Sequence, residues 1–175
     1  MTDKLNNHST TAGEPCYIDK KGRKRWHRND EVADVVKQLG DYLIIGGYPP
    51  AHAKRYARLA HTISRMPELV DALAETNQLE SIAGVGGTIT GYLEEIVRTG
   101  TTAKFDDNQY GELPPRSVLE LTSVHKLGAG TARVLYREHG IDSLQSLCQA
   151  LADGRLAGIR GIGPTMLNTI RAQCD

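Results

Sequence analysis

The sequence is poor in the residues that build disulfide frameworks and metal sites. Its three cysteines, Cys16, Cys148 and Cys174, lie far apart and form no CxxC pair. We therefore expect free thiols in a reducing compartment. The six histidines have no metal-binding spacing with each other or with cysteine, so no transition-metal site is expected.

Long apolar runs are also missing. No stretch is long enough to span a bilayer, and the amino terminus has no signal-peptide pattern. These absences predict a soluble protein that has no membrane partner. A chain of 175 residues can bury an ordinary core as one compact domain or two small ones.

Charge is balanced overall but is distributed unevenly. Residues 1–28 contain seven Lys/Arg and three Asp/Glu, a net charge of +4, so residues 29–175 have a net charge of −4. An acidic body argues against tight DNA binding over a broad surface. It leaves open the local binding of phosphate by backbone groups.

Residues 1–28 have no hydrophobic period and are predicted to be a disordered basic tail. The end of this segment, residues 20–28, interleaves the single tryptophan, Trp26, with cations. Two interpretations remain open. The segment is either a flexible arm that grips a nucleic-acid backbone and stacks Trp26 on a base, or a solvated charge run whose Trp26 packs on the domain edge.

No strand pattern is visible anywhere in the chain, and from residue 29 onwards the apolar residues recur at helical spacing, which predicts an all-α fold. Asn29 and Ser143 are expected to cap helices, and Pro164 to begin one. The polar, turn-rich residues 101–115 predict a linker between a first helical lobe, residues 29–100, and a second lobe, residues 116–175.

One local pattern occurs three times in this helical region. An apolar segment leads into Gly84-Val85-Gly86, Lys126-Leu127-Gly128 or Gly161-Ile162-Gly163, and a new helix follows at once. Such turns indicate helix-hairpin-helix motifs, in which glycine permits a close backbone approach and the new helix presents unpaired N–H groups to phosphate. The alternative is that these glycines only close helical turns.

The order of these parts resembles the amino-terminal region of family X DNA polymerases, the DNA polymerase beta group. The resemblance covers roughly residues 29–172 and rests on the stretches NDEVADVVKQLGDYLIIGG, KRYARLAHTI, IAGVGGTITGYLEEIVRTG, LTSVHKLGAGTARVLYREHGIDSLQSL and GRLAGIRGIGPTML. In that family the pieces form a lyase-type lobe and a following lobe, whose hairpins hold the DNA backbone on either side of a gap.

The resemblance implies several binding residues. K⁺ or Na⁺ would be held at each of the first two hairpins by main-chain carbonyls, those of Glu80, Ile82 and Val85 and those of Thr122, Val124 and Leu127. With the third hairpin included, the residues expected at DNA phosphates are Gly84, Gly86, Thr88, Lys126, Gly128, Gly130, Thr131, Gly161 and Gly163. His52 and Tyr56 match positions of the family's 5′-phosphate pocket.

The chain departs from the family at residues that decide its chemistry. Tyr92 stands at the position of the lysine that forms a Schiff base, Thr88 replaces a cationic lysine, and Lys126 replaces the first glycine of the second hairpin. Schiff-base chemistry needs an amine. Because the chain as given also ends before any polymerase palm, neither lyase nor polymerase activity and no catalytic residue is expected.

These observations predict a DNA-binding protein without sequence preference that acts in repair or replication, recognises nicks, gaps or ends and has a repair or replication enzyme as partner. A cytoplasmic location is expected, associated with the nucleoid in a prokaryote. Two alternatives remain: a DNA-binding part of a polymerase or nuclease that is truncated or completed by a partner, and a protein-interaction domain.

Overall fold

The computed structural model describes residues 15–107 and 113–174, and these form a mostly helical fold. The eight α-helices are α1 (His27–Ile45), α2 (Pro50–Ile63), α3 (Val70–Glu75), α4 (Gly87–Thr99), α5 (Val118–Ser123), α6 (Ala129–His139), α7 (Leu144–Ala152) and α8 (Pro164–Cys174). Short 3-10 turns lie at Leu79–Ser81 and Ala103–Asp106, and one two-stranded hairpin precedes α1. The predicted all-α class is confirmed.

Several helix ends lie where the sequence predicts them. Helix α1 ends at Ile45 before two glycines, and α2 begins with a proline in its first turn. The Ser143 hydroxyl accepts a hydrogen bond from the Ser146 backbone N–H and completes a capping box for α7. Helix α8 begins at Pro164 as predicted.

Asn29 does not cap its own helix as predicted. Helix α1 begins two residues earlier, at His27, and Asn29 is fully buried within it. Its side-chain amide donates to the Glu68 carbonyl at 2.8 Å and its Oδ1 accepts from the Val70 N–H at 2.9 Å. Asn29 therefore stabilises the start of α3, because its side chain supplies the hydrogen-bond partners of the Glu68 carbonyl and the Val70 N–H.

Helix α1 is the centre of the fold. It packs along α2, where Gly40 lies so close to Tyr56 that a Cβ at Gly40 would come within 2.9 Å of the Tyr56 Cβ. It also contacts α4 of the first predicted lobe and α5 and α6 of the second. One hydrophobic core consequently runs through both lobes.

The predicted linker packs against this core in the parts that are described. Thr102, Lys104 and Phe105 are buried, and Tyr42 of α1 donates a 2.5 Å hydrogen bond to the Pro114 carbonyl. The Arg116 guanidinium lies 4.0 Å from the centre of the Phe105 ring. Polar composition predicted a linker here, but the buried Phe105 ring packs against Tyr42 of α1, and Lys104 is buried as well. Residues 108–112 lie outside the described residues.

Residues 15–28 form an ordered hairpin and the start of α1, which corrects the predicted disorder. Strands β1 (Cys16–Ile18) and β2 (Lys24–Trp26) pair in antiparallel register, with Tyr17 opposite Arg25. The Trp26 indole N–H donates to the Pro67 carbonyl at 2.7 Å. Trp26 thus packs on the domain edge. The rest of the predicted tail, residues 1–14, lies outside the described residues.

The prediction of free thiols is wrong for two of the three cysteines. Cys148 of α7 and Cys174 of α8 form a disulfide, with their Cα atoms 5.6 Å apart, whereas Cys16 is free. A separation of 26 residues gives no sign of this contact in the sequence. It arises because α8 folds back against α7.

Candidate nucleic-acid interface

The three glycine-containing turns have the same backbone geometry. Each has a left-handed residue at its first position, Gly84 and Gly161 at φ +90° and Lys126 at φ +66°. The next residue then donates its N–H back over three residues, at 3.0 Å in every case: Val85 to Ile82, Leu127 to Val124 and Ile162 to Ile159. The repeat seen in the sequence is therefore a repeat of structure.

Lys126 carries the strain that its replacement of glycine predicts. A side chain at positive φ is disfavoured relative to glycine. The turn nevertheless keeps the geometry of its two counterparts, and the Lys126 side chain is exposed. The second hairpin thus has a cationic side chain at the position where the other two have glycine.

The helices after the first two turns begin without a side-chain cap. Gly86 is the N-cap of α4 and Gly128 is the N-cap of α6, and among the described residues no side chain accepts a hydrogen bond at either cap. The first N–H groups of such a helix have no intrahelical acceptor, and the helix dipole places positive charge there. Both helix starts can accept an anion.

Space around the hairpin glycines is open. An added Cβ would meet no atom within 4 Å at Gly84, Gly86, Gly128, Gly130 or Gly163. At Gly161 the Cβ would lie 2.8 Å from the Thr131 hydroxyl, so Gly161 is also required for packing. That close approach places the third hairpin against the start of α6, which belongs to the second hairpin.

Charge distinguishes the first hairpin from the other two. Exposed His125 and Lys126 belong to the second turn and exposed Arg160 to the third. In the first hairpin, the Glu80 carboxylate lies beside the start of α4, with Oε1 3.4 Å from the Thr90 hydroxyl. Thr88 is exposed in the first turn of α4. Electrostatics therefore favours phosphate binding at the second and third hairpins.

The geometry defines a class: residues 118–174 form a helix-hairpin-helix tandem built from the second and third hairpins. This segment matches the family described as a SAM-like helix-hairpin-helix tandem. A search of curated protein sequences finds no match to the chain. Helix-hairpin-helix domains generally bind DNA without sequence specificity, which is consistent with a DNA-binding role for this chain.

The two residues predicted for a 5′-phosphate pocket lie in a cluster of phenols and cations. The ring centres of His52 and Tyr48 are 6.0 Å apart, and Arg55 Nη2 donates to the hydroxyls of Tyr48 at 3.3 Å and Tyr56 at 3.5 Å. Burial raises the pKa of Tyr56, an effect that Arg55 partly offsets. No motif in the sequence indicates that Arg55 belongs to this cluster.

Lys104 belongs to the same cluster, although the sequence placed it in a linker. Its amine forms an ion pair with Asp107 and lies close enough to Tyr92 and Tyr56 to interact electrostatically with both. Burial alone would lower the pKa of Lys104, but the hydrogen bond to Asp107 and the two phenols outweigh that effect and raise the pKa. The amine is therefore charged at neutral pH.

The carbonyl groups expected to hold a monovalent cation lie in the first two turns, whose backbone geometry is the same. Ile82 and Val124 occupy equivalent positions, and each carbonyl already accepts one N–H within its turn. A carbonyl oxygen has a second lone pair, so each of these two groups keeps one acceptor position. In residues 15–107 and 113–174, no group of three or more His, Cys, Asp or Glu side chains could hold a metal, and no helix could cross a bilayer.

Proposed function

We propose that this protein binds DNA without sequence preference through the tandem of its second and third hairpins. The observation that carries the proposal is the shared turn geometry of Lys126-Leu127-Gly128 and Gly161-Ile162-Gly163 within a segment that matches a helix-hairpin-helix tandem. Backbone N–H groups read phosphates and not base edges, so no sequence preference is expected.

At a finer level, we propose a role in DNA repair or replication at nicks, gaps or ends. The support is the resemblance to family X polymerases together with the cluster around Tyr56, whose two cations, Arg55 and Lys104, suit a terminal phosphate. The first hairpin would contact the same DNA less strongly, because the Glu80 carboxylate lies beside the start of α4, where the phosphate would bind. K⁺ or Na⁺ at the hairpin carbonyls would offset part of the phosphate charge.

The proposed role is one of binding, without polymerase or lyase chemistry. Tyr92 cannot form an imine, and Lys104, the amine next to it, is protonated and paired with Asp107. We expect the chain to locate DNA for a repair or replication enzyme that supplies the reaction.

Fluorescence anisotropy with gapped, nicked and intact duplexes at several salt concentrations tests the proposal. We expect a dissociation constant on the order of micromolar at physiological salt that weakens as salt rises. Gly128→Ala and Gly163→Ala are the informative variants, since neither glycine has a positive φ and an added methyl meets open space in the free protein. Each should weaken DNA binding and leave thermal stability unchanged.

Gly91→Ala is the matched control, because it adds the same methyl in open space on α4, outside all three turns. Lys126→Gly tests the contribution of the Lys126 charge. It should lower the slope of log affinity against log salt by about one unit, while glycine relieves the strain of the positive φ in the turn. Salt-insensitive signals on every duplex would remove the DNA-binding proposal and favour a protein-interaction domain. Equal affinity for gapped, nicked and intact DNA would remove only the finer role.

A further inference from the structure

The basic hairpin, residues 15–26, is a charged element that the tandem does not explain. Six of the seven Lys/Arg residues in the first 28 positions lie at or after Lys20, while the rest of the chain from residue 29 has a net charge of −4. The structure folds this segment into an ordered hairpin, which presents a defined surface.

Asp19 closes the tip of the basic hairpin. Its carboxylate accepts hydrogen bonds from the backbone N–H groups of Lys21 at 2.8 Å and Arg23 at 3.0 Å, and from Arg25 Nε at 3.0 Å. Gly22, at φ +75°, completes the turn. Asp19, the one acidic residue of the basic hairpin, thus accepts hydrogen bonds within the turn and forms ion pairs with Arg23 and Arg25.

Three contacts fix the basic hairpin to the helical body. Buried Arg25 donates to the Arg65 carbonyl, the Trp26 indole donates to the Pro67 carbonyl at 2.7 Å, and the Tyr17 hydroxyl donates to Asp30 at 2.8 Å. Because the anchoring side chains are at the base, the tip keeps one orientation relative to the helices.

The cations at the tip remain available. Lys20, Lys21 and Lys24 are exposed, and among the ion pairs of the described residues none involves their ammonium groups. Lys24 lies over the Trp26 ring at 4.0 Å, which holds its charge on the outer face of the strand. Because the backbone of this hairpin is ordered, the entropy cost of binding an array of phosphates falls mainly on the three lysine side chains.

We infer that the tip of the basic hairpin is a second contact for the DNA backbone, separate from the helix-hairpin-helix tandem. This inference rests on the proposed DNA binding and adds a contact made by lysine side chains alone, whereas the tandem binds chiefly through backbone N–H groups. Trp26 takes no part in base stacking, because its indole is bonded to the body. Duplex DNA is the favoured partner, because it presents a regular array of phosphates. Lysine ammonium groups bind such phosphates electrostatically, without recognising the base sequence.

The test compares two double variants that lose the same charge. Lys20→Gln/Lys21→Gln removes two of the tip charges, and Lys54→Gln/Arg58→Gln removes two exposed charges from α2, outside the tandem. The slope of log affinity against log salt should fall by about 1.8 for the tip variant, with an affinity loss of roughly 10- to 100-fold at 0.1 M salt. The control variant should change affinity by no more than about threefold, in keeping with a general charge effect.

Trp26 fluorescence reports whether the basic hairpin stays folded, so an unchanged emission spectrum assigns the loss to the charges. If wild-type DNA binding depends on Gly128 and Gly163 but the tip variant behaves like the control, the second contact is wrong and the proposed function survives. If the wild type does not bind DNA, both fail. The inference would also be overturned, in favour of a membrane surface, by a third result. In that result the protein binds anionic lipid vesicles only when Lys20 and Lys21 are present, while its DNA binding does not depend on them.

Discussion

Individual residues in this protein are used by partners that lie far away in the sequence. Asn29 bonds to the start of α3, about forty residues on, and Lys104 reaches the phenols of Tyr56 and Tyr92. In both cases the residue type suggested a local role, a cap or a mobile charge. Burial changes that role, because a buried donor or charge has to find its partner inside the fold.

Asn29→Ala should destabilise the protein. The change leaves the buried Val70 N–H without its acceptor and removes the donor to the Glu68 carbonyl, which costs about 1 to 3 kcal/mol. Urea unfolding followed by circular dichroism gives the free energy. Gln38→Ala, an exposed change on the same helix, should alter it by less than about 0.5 kcal/mol. Equal effects of the two substitutions would show that the Asn29 bonds are not important.

Lys104 should not form a Schiff base with an abasic site. Its raised pKa keeps the amine protonated at neutral pH, and only the neutral amine attacks an aldehyde. Borohydride trapping on a 5′-incised abasic duplex should therefore give no covalent adduct, whereas Tyr92→Lys should gain one. An adduct of the wild-type protein that disappears in Lys104→Ala would contradict this prediction and make Lys104 the nucleophile.

At the scale of elements, the fold closes short segments with specific side chains. Asp19 closes the turn of the basic hairpin, and the disulfide between Cys148 and Cys174 links α7 to α8. Short elements bury little apolar surface, so a turn carboxylate or a disulfide contributes a large share of their order. Each of these elements can be tested separately from the helical core.

The basic hairpin should loosen in acid. Hydrogen bonds from the backbone N–H of Arg23 and of Lys21, together with those from the two arginines, hold the pKa of Asp19 well below its usual range. Its stabilising effect is fully present above the unfolded pKa of about 3.9 and is lost as the pH falls towards the folded value. Trp26 emission should shift below about pH 4. Asp19→Asn should show the shifted emission at neutral pH; an unshifted spectrum would remove Asp19 from this role.

Reduction of the disulfide should destabilise the tandem. A closed loop of about this length contributes roughly 3 kcal/mol by restricting the unfolded chain. Dithiothreitol should lower the thermal midpoint of the wild type and of Cys16→Ser, and leave Cys148→Ser/Cys174→Ser unaffected. A wild-type midpoint that is the same with and without dithiothreitol would show that α8 does not need the bond.

At the scale of the whole molecule, α1 joins the two predicted lobes. It packs on α2 and α4 of the first predicted lobe and on α5 and α6 of the second, and Arg137 of α6 donates to the Gly46 carbonyl at the end of α1. The two lobes therefore have one core in common. The sequence pattern predicts a boundary between two lobes near residues 101–115, but the hydrophobic core is continuous across it.

Thermal unfolding should accordingly be a single transition, with a calorimetric enthalpy close to the van't Hoff value. Leu39→Ala, which removes a fully buried side chain from α1, should cost about 2 to 5 kcal/mol and move that transition without splitting it. Two resolved transitions, only one of them sensitive to Leu39→Ala, would show that the lobes unfold independently.

The sequence by itself determined the features that depend on neighbouring residues. Helical spacing of apolar residues, Pro164 at a helix start and Ser143 at a cap predict elements that the structure confirms. The three turns were visible for the same reason: a glycine or Lys126 at positive φ and an apolar residue after it are local requirements. The helix-hairpin-helix class of residues 118–174 followed from them.

The tertiary structure alone decided the features that depend on distant contacts. It paired Cys148 with Cys174, buried Lys104 beside Tyr92, turned Asn29 towards α3 and folded residues 16–26 into a hairpin anchored on Pro67. None of these contacts has a periodic signature, because each joins two segments whose spacing in the sequence is arbitrary. Packing around α1 brings those segments together, and composition alone suggested a tail, a linker and free thiols in their place.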